Sequence, residues 1–278
     1  MTVDERTLQD GTRVRIEGSS DPLVLIHGVG MDLGMWDAVA EVLVPRHRVI
    51  RFDMLGHGGS AKPAGPYSLA DFVAQVERLA DALGLAQFDL VGFSMGGLVA
   101  QGFAAQHADR VRRLVLLNTV YRRSPEERAA IAARVTDVRN GGFAPSVETA
   151  IERWFTPAFR ATRPDVVESV RRHMFTNDLD AYAAAYAVFA TADAELEDGV
   201  ADIACPTLVM TGAEDQRSTA TMAKALAARI PQGQCEIIAG QRHLTPLEIP
   251  EQLAETFSAF FRAYRSEPAL AKTGDSVR

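Results

Sequence analysis

A single serine sits between glycines in Val91-Gly92-Phe93-Ser94-Met95-Gly96-Gly97. An apolar run over residues 88–91 leads in and a helical-period run over 98–107 leads out, which predicts a strand turning sharply into a helix with Ser94 at the apex. Gly92 and Gly96 suit the crossing of those two elements, where a side chain would clash. Such a turn lifts a hydroxyl to the top of a parallel sheet. A serine hydroxyl is a poor nucleophile at neutral pH. It needs a neighbouring base, and the base needs a third group to hold its tautomer and stabilise its cation.

In open parallel sheets reactive groups sit on loops at the carboxyl ends of strands, so the partners of Ser94 are sought there. The strand predicted over 206–210 runs into Thr211-Gly212-Ala213-Glu214-Asp215, and the one over 235–238 into Ala239-Gly240-Gln241-Arg242-His243. Ser94, Asp215 and His243 thus follow three strands in the order serine, acid, histidine. Glu214 is the rival acid, and strand-end geometry favours Asp215. Asn118, which ends the strand after the serine's helix, cannot be an acid. Of the other histidines, His27 is expected to bond within its own loop and His57 to shape a glycine-rich turn. His47, His107 and His173 fall on helical or surface stretches. Asp53 is expected to fix its turn. Acyl transfer also needs backbone N–H groups aimed at a developing oxyanion. Met95, directly after the serine, is one expected donor. Val29, in the loop His27-Gly28-Val29-Gly30, is the other, with Gly30 as its rival.

The elements needed to place these groups are visible as alternating patterns. Residues 1–18 read as two short strands around Asp10-Gly11, and 22–26, 48–52, 88–91 and 111–117 as strands. Helical stretches separate them, one of them (to residue 83) capped by Ser68. Strand–helix alternation through 22–118 implies a mostly parallel sheet with helices on both faces, an α/β protein. The pattern changes at Asn118. Residues 125–140, 145–154, 164–175 and 179–192 have helical period, punctuated by prolines and Gly141-Gly142. The expected organisation is a core of 1–118 and 198–265, a helical cap of 119–197, and a disordered tail of 266–278.

The 278 residues are 47% hydrophobic with net charge −7, which suits one large α/β domain or a core with an insertion, and leaves no basic footprint for nucleic acid. The two cysteines, Cys205 and Cys235, have no metal or redox spacing and are expected as small core hydrophobes at strand starts. No apolar run approaches the about 18–20 residues of a membrane span. The first residues lack a basic start and an apolar stretch, so a cytoplasmic location is expected. No metal cluster, phosphate loop or dinucleotide fingerprint is present: Leu33 stands where the third glycine of the last would fall. No cofactor is expected, and no membrane or nucleic-acid partner.

With those residues in place the chain resembles the α/β-hydrolase superfamily over about residues 10–264. The likeness runs through His27-Gly28-Val29-Gly30, Asp53-x-x-Gly56-His57-Gly58-x-Ser60, Gly92-Phe93-Ser94-Met95-Gly96-Gly97, Gly212-x-x-Asp215 and His243-x-x-Pro246-x-Glu248-x-Pro250. Within the superfamily it is most similar to the 3-oxoadipate enol-lactonases. This rests on His27-Gly28 with Trp36 downstream, Gly65-Pro66-Tyr67-Ser68, and Trp154-Phe155-Thr156-Pro157-Ala158-Phe159-Arg160. The resemblance implies a serine hydrolase of a small-molecule carboxylic ester or lactone. Carbon–carbon bond hydrolase, perhydrolase and acyltransferase are same-site rivals, and a small-molecule sensor with a retained triad is the rival from another class. Serine at the turn argues against relatives that place aspartate there. A small carboxylated lactone would call for a cation from the cap: Arg122, Arg139, Arg153 and Arg160 are the candidates, though any one of them reads more readily as a solvated helix-face residue, and Trp36 and Trp154 are further candidate contacts, Trp36 reading more readily as a core residue. Leu55, Gln216-Arg217-Ser218 and Gln241-Arg242 depart from the common pattern and set extra polar groups beside the site.

Overall fold

Val3–Thr7 (β1) and Arg13–Glu17 (β2) pair antiparallel around the Asp10-Gly11 turn, and β2 then pairs antiparallel with His47–Phe52 (β4). The computed structural model describes residues 3–264, apart from the side chains of Arg139 and Asn140, so the proposed 266–278 tail lies outside the described residues. The remaining strands are parallel: Asp21–Ile26 (β3), Phe88–Phe93 (β5), Val111–Leu117 (β6), Thr207–Gly212 (β7) and Gly233–Ile238 (β8). They form one eight-stranded sheet in the order β1-β2-β4-β3-β5-β6-β7-β8. β5 and β7 are buried along their whole length, because helices cover both faces, and hence they read as continuous apolar runs.

The connections on the core are Asp37–Leu43 (α1), Leu69–Ala82 (α2) and Met95–Gln106 (α3). Ser68 caps α2 in a reciprocal box with Asp71. Helix α3 is buried from Met95 to Ala104 without a break, since it lies between the sheet and other helices; the amphipathic face suggested by its sequence is absent. Between β6 and β7 come only helices: Pro125–Asp137 (α4), Phe143–Trp154 (α5), Pro157–Thr162 (α6), Pro164–Met174 (α7), Leu179–Glu195 (α8) and a 3-10 turn at Gly199–Asp202. A π-helical turn, Val138–Gly142, carries α4 into α5, so the glycine pair distorts the helical path without ending it. Helix α6 is too short to show a period. It forms because Thr156 caps it and Glu248 holds the Thr156 N–H and hydroxyl, both at 2.7 Å. Ala220–Arg229 (α9), Thr245–Glu248 (α10) and Pro250–Ala263 (α11) complete the chain, with α11 packed on α1.

One core expectation fails. Cys205 is buried, but Cys235 is exposed, because β8 is the sheet's edge strand and only its last residue is fully covered. Among the described residues no helix is long and apolar enough to cross a membrane, and no cluster of His, Cys, Asp or Glu could hold a metal ion.

What positions the site is the order of the strands. β3 lies between β4 and β5, so the chain leaves β3 toward one side of the sheet and later returns to pair on its other side. The loops after β3 and β5 therefore part over a crevice at their carboxyl ends, the place where open α/β sheets bind ligands. Ile26 pairs with Gly92 across it, which sets the Val29 loop beside Ser94.

Candidate active site

Ser94 follows β5 with φ 54° and ψ −115°, a conformation costing a non-glycine residue about 1–3 kcal/mol. Neighbours enforce it. The Ser94 N–H donates to Leu117 O at 2.9 Å, and its carbonyl accepts from the Gly97 N–H at 3.0 Å and the Thr119 hydroxyl at 2.8 Å. The flanking glycines are required by contact rather than by dihedral freedom. A Cβ on Gly92 would stand 2.3 Å from Gly96 O, and one on Gly96 2.4 Å from His27 O. The hydroxyl ends up 3.2 Å from His243 Nε2, in a residue only 4% exposed.

The opposite nitrogen of His243, Nδ1, lies 2.6 Å from Asp215 Oδ2. Asp215 comes three residues after β7, and its other oxygen accepts the N–H groups of Arg217 and Ser218, both at 3.0 Å. Burial alone would raise the Asp215 carboxyl. The charge of His243 and the hydrogen bonds from His243, Asn118 and Arg217 outweigh it and hold the carboxyl below its ordinary value. An ionised Asp215 accepting from Nδ1 leaves Nε2 free to accept the serine proton. His243 reaches back from the β8 end across β7 and β6, and Trp154 O anchors that crossing by accepting the N–H groups of His243 and Leu244, each at 3.0 Å. The indole of Trp154 also stacks on the His243 ring.

Asn118 has a part the sequence reading did not assign. With φ 47°, its side-chain NH2 donates to Asp215 Oδ2 at 2.8 Å, while its oxygen accepts from the Thr245 hydroxyl at 2.8 Å. It thus ties the β6 end to the acid after β7 and to the loop after His243. A strand-end position between the serine's strand and the acid's strand was the available signal. Glu214, the rival acid, is exposed and faces Arg242 at 3.7 Å.

The N–H groups of Met95 and Val29 find no acceptor among the described residues. Met95 opens α3, so its N–H sits at the positive end of the helix dipole. The Val29 loop is fixed by His27. Its Nε2 accepts from the Met54 N–H at 2.8 Å, so Nδ1 carries the proton and donates to Gly28 O at 2.7 Å. Burial keeps His27 neutral by lowering its pKa. A Cβ on Gly28 would meet the Phe93 ring at 2.9 Å, so only glycine lets this loop approach the elbow. His57 is likewise structural: burial takes its pKa down to about 3, and its Nδ1 donates to Leu55 O. Asp53 holds its turn through the N–H groups of Leu33 and Gly59, at 2.8 and 2.7 Å.

Over Ser94 lies a cleft that Gly28, Val29, Phe93 and the triad-forming loops close from below. Cap helices close it from above, each with one face: Glu127, Ile131 and Arg134 of α4; Val147, Ala150 and Arg153 of α5; Tyr182, Tyr186 and Phe189 of α8. These are i, i+3, i+4 and i+7 spacings. Of the expected substrate contacts, Arg153 and Trp154 line the cleft. Trp36 does not. It is fully buried, edge-on to Phe93 at 6.3 Å, because it closes the core beneath the elbow. Arg122 points away and pairs with Glu197 at 2.7 Å, 61% exposed. Arg160 lies on the outer face of the cap beside Glu148, Glu168 and Arg171. The side chain of Arg139 is outside the described residues. Arg123 and Arg134 also line the cleft and were missed, while Arg217, expected beside the site, lines it too. Arg134 was detectable, since it shares a helix face with the apolar Ile131 and Val138.

The chain belongs to the α/β-hydrolase fold family, whose model matches residues 21–250. Among curated proteins it is 34% identical over 244 residues to the (E)-2-((N-methylformamido)methylene)succinate hydrolase of Acinetobacter baylyi, covering 88% of this chain and 91% of that one. It is 29% identical over 242 residues to 3-oxoadipate enol-lactonase 2 of the same organism, covering 87% and 89%. Among solved structures, the enol-lactonase of Burkholderia xenovorans LB400 superposes with a TM-score of 0.83 at 30% identity, over 93% of this chain and all of that one. The protein is thus an α/β hydrolase with relatives that include enol-lactonases.

Proposed function

We propose that the protein hydrolyses a small carboxylic ester or lactone through an acyl-enzyme on Ser94. The observation that carries this reading is the chain Asp215–His243–Ser94, bonded at 2.6 and 3.2 Å beside two unengaged backbone N–H groups. The longer link suits a resting enzyme, where catalytic hydrogen bonds tighten only with substrate present.

His243 Nε2 takes the Ser94 proton as Oγ attacks the carbonyl carbon. The tetrahedral oxyanion is held by the N–H groups of Met95 and Val29. As the intermediate collapses, His243 returns the proton to the departing alkoxide, leaving Ser94 acylated. Water then enters, gives its proton to His243 and attacks the acyl carbonyl, and Ser94 leaves with that proton. Asp215 keeps the Nδ1–H tautomer throughout and stabilises the imidazolium formed in each half. The helices of 119–197 act as the lid that excludes water and shapes the acyl site. The relatives named as enol-lactonases support acyl chemistry at this site, with carbon–carbon cleavage by the same triad as its rival.

The test is turnover of p-nitrophenyl acetate and butyrate and of simple enol-lactones, with Ser94→Ala as the control. Hydrolysis by the wild type that disappears in Ser94→Ala is the expected result. Activity persisting in Ser94→Ala would refute the mechanism, and no turnover of any acyl substrate would favour the sensor.

A further inference from the structure

Arg242 precedes the histidine where the sequence departs from the common pattern, and Glu248 follows it in a motif whose carboxylate has no part in the mechanism. Both meet the cap at one place. Helix α5 ends at Trp154, and the last carbonyls of a helix have no partner inside it. The histidine loop supplies the donors. Arg242 Nη1 donates to Glu152 O at 2.7 Å and to Phe155 O at 3.2 Å, while the N–H groups of His243 and Leu244 share Trp154 O between them. Just beyond the helix end, Glu248 accepts the Thr156 N–H and hydroxyl. Residues 152–156 of the cap are thus bonded to 242–248 of the core on both sides of Trp154. Arg242 is also held from below, since its carbonyl accepts from the Asn118 NH2 at 3.2 Å.

The histidine needs this support because of where its strand lies. β8 is an edge strand bonded to β7 alone, so the sheet restrains the loop after it from one side only. The end of α5 stands where a further strand would. The imidazole must also keep Nδ1 on Asp215 and Nε2 on Ser94 at once. Those bonds leave opposite sides of one ring, so moving the ring toward one partner lengthens the other bond. Phe93 packs against the ring at 5.0 Å between centroids, and the Trp154 indole stacks on it at 6.4 Å and 26° from parallel. Burial raises the Glu248 carboxyl, against the Thr156 hydrogen bonds and the Arg242 charge that draw it down. A half-buried acid kept in place against its own desolvation is accounted for by the threonine it holds.

We propose that Arg242 and Glu248 are positioning residues for catalysis: they fasten the end of cap helix α5 to the histidine loop, so that Trp154 holds the His243 ring between Asp215 and Ser94. Neither side chain lines the cleft, and both act through Trp154 and Thr156. The cap is therefore part of the support of the general base as well as a cover for Ser94. A displacement of about 1 Å at a reacting group costs about a hundredfold in rate, which is the scale on which such support matters. This rests on the reading of Ser94 and His243 as nucleophile and base.

Two arms test it. Arg242→Met and Glu248→Met keep side-chain length and remove the bonds. On p-nitrophenyl butyrate each is expected to lower kcat by about ten- to a hundredfold, with KM changed by less than about threefold. His243 serves both acylation and deacylation, so the two rates fall together, and KM follows their ratio. Glu248→Gln is expected to recover most of the loss, because its oxygen can take the Thr156 N–H while its NH2 donates to the hydroxyl. Urea unfolding of each variant confirms that the rates belong to folded protein. A kcat within about threefold of wild type in both Met variants, a loss carried in KM, or a Gln variant as poor as Met would overturn the proposal and leave the hydrolase reading. The second arm needs neither turnover nor a variant: amide hydrogen exchange of the wild type by NMR. The N–H groups of His243, Leu244 and Thr156 are expected to be protected about a hundredfold or more and to open together, within about threefold of one another. Free exchange at His243 and Leu244 would overturn the proposal whatever the rates. Protection there with no turnover of any acyl substrate would refute the hydrolase reading while supporting the attachment of the cap to the histidine loop.

Discussion

Replacing Asp215 with asparagine changes one oxygen for an NH2, and the surroundings leave that group no good orientation. The oxygen now on the Arg217 and Ser218 N–H groups must remain an acceptor, since both donors are 3.0 Å away. Kept so, the amide turns its NH2 toward His243 Nδ1 and toward the Asn118 NH2, which donates at 2.8 Å in the wild type. His243 would then have to accept at Nδ1, placing its proton on Nε2, where it faces Ser94 and cannot take the serine proton. Flipping the amide restores the tautomer but leaves two buried N–H groups unpaired, at about 1–3 kcal/mol each. At about 1.4 kcal/mol per tenfold, the loss in kcat runs from about 30-fold to about 10⁴-fold. The upper figure is also what a wrong tautomer costs in a serine protease. Initial rates on an ester turned over by the wild type should show kcat falling with KM little changed. Glu214→Gln should stay within about threefold, because its exposed carboxylate meets Arg242 only at 3.7 Å. A kcat for Asp215→Asn within tenfold of wild type, or an equal loss in Glu214→Gln, would refute the assignment of the acid.

Gly96→Ala should cost about 3 kcal/mol or more, since its Cβ would fall 2.4 Å from His27 O, whereas Gly199→Ala meets nothing within 4 Å and should be neutral or slightly stabilising; urea unfolding of the two variants compares them. Arg123→Met strands the fully buried Asp193 with Arg128 as its remaining cation, and a loss of about 3–5 kcal/mol is expected from the same measurement. The depressed Asp215 carboxyl gives stability that is present above its unfolded value of 3.8 and lost as pH falls through its lower folded value. Between about pH 5 and pH 3 the wild type should therefore lose stability more steeply than Asp215→Asn, which has no proton to gain there; parallel curves would contradict the shift.

Much of the Ser94–His243–Asp215 arrangement was legible in the chain because it rests on local rules. Glycines flank a serine only where two elements cross closely, and strands of a parallel sheet display their chemistry at one end. From those rules Ser94, Asp215 and His243 were placed on loops that the structure does bring into hydrogen-bonding distance. The same rules set Val29 and Met95 beside the serine, since β3 and β5 are neighbours. Where the sequence misled, the cause was non-local. Cys235 had the pattern of an inner strand, yet strand order put it on the edge. Asn118 could be dismissed as an acid from its chemistry alone, while its grip on Asp215 needed three loops to meet.

By itself, then, the amino-acid order determined the alternation of strands and helices, the sharp turn at Ser94 and the succession of acid and base. Each follows from periodicity, steric need for glycine, and the ends of strands. Which arginines face Ser94 was decided only in three dimensions. Arg122, Arg134, Arg153, Arg160 and Arg217 look alike in sequence, each a long cation on or near a helix. Only the packing of the cap against the sheet's carboxyl edge separates those paired or exposed outside from those held over Ser94. A guanidinium's environment is set by neighbours distant in the chain, and no local pattern encodes it.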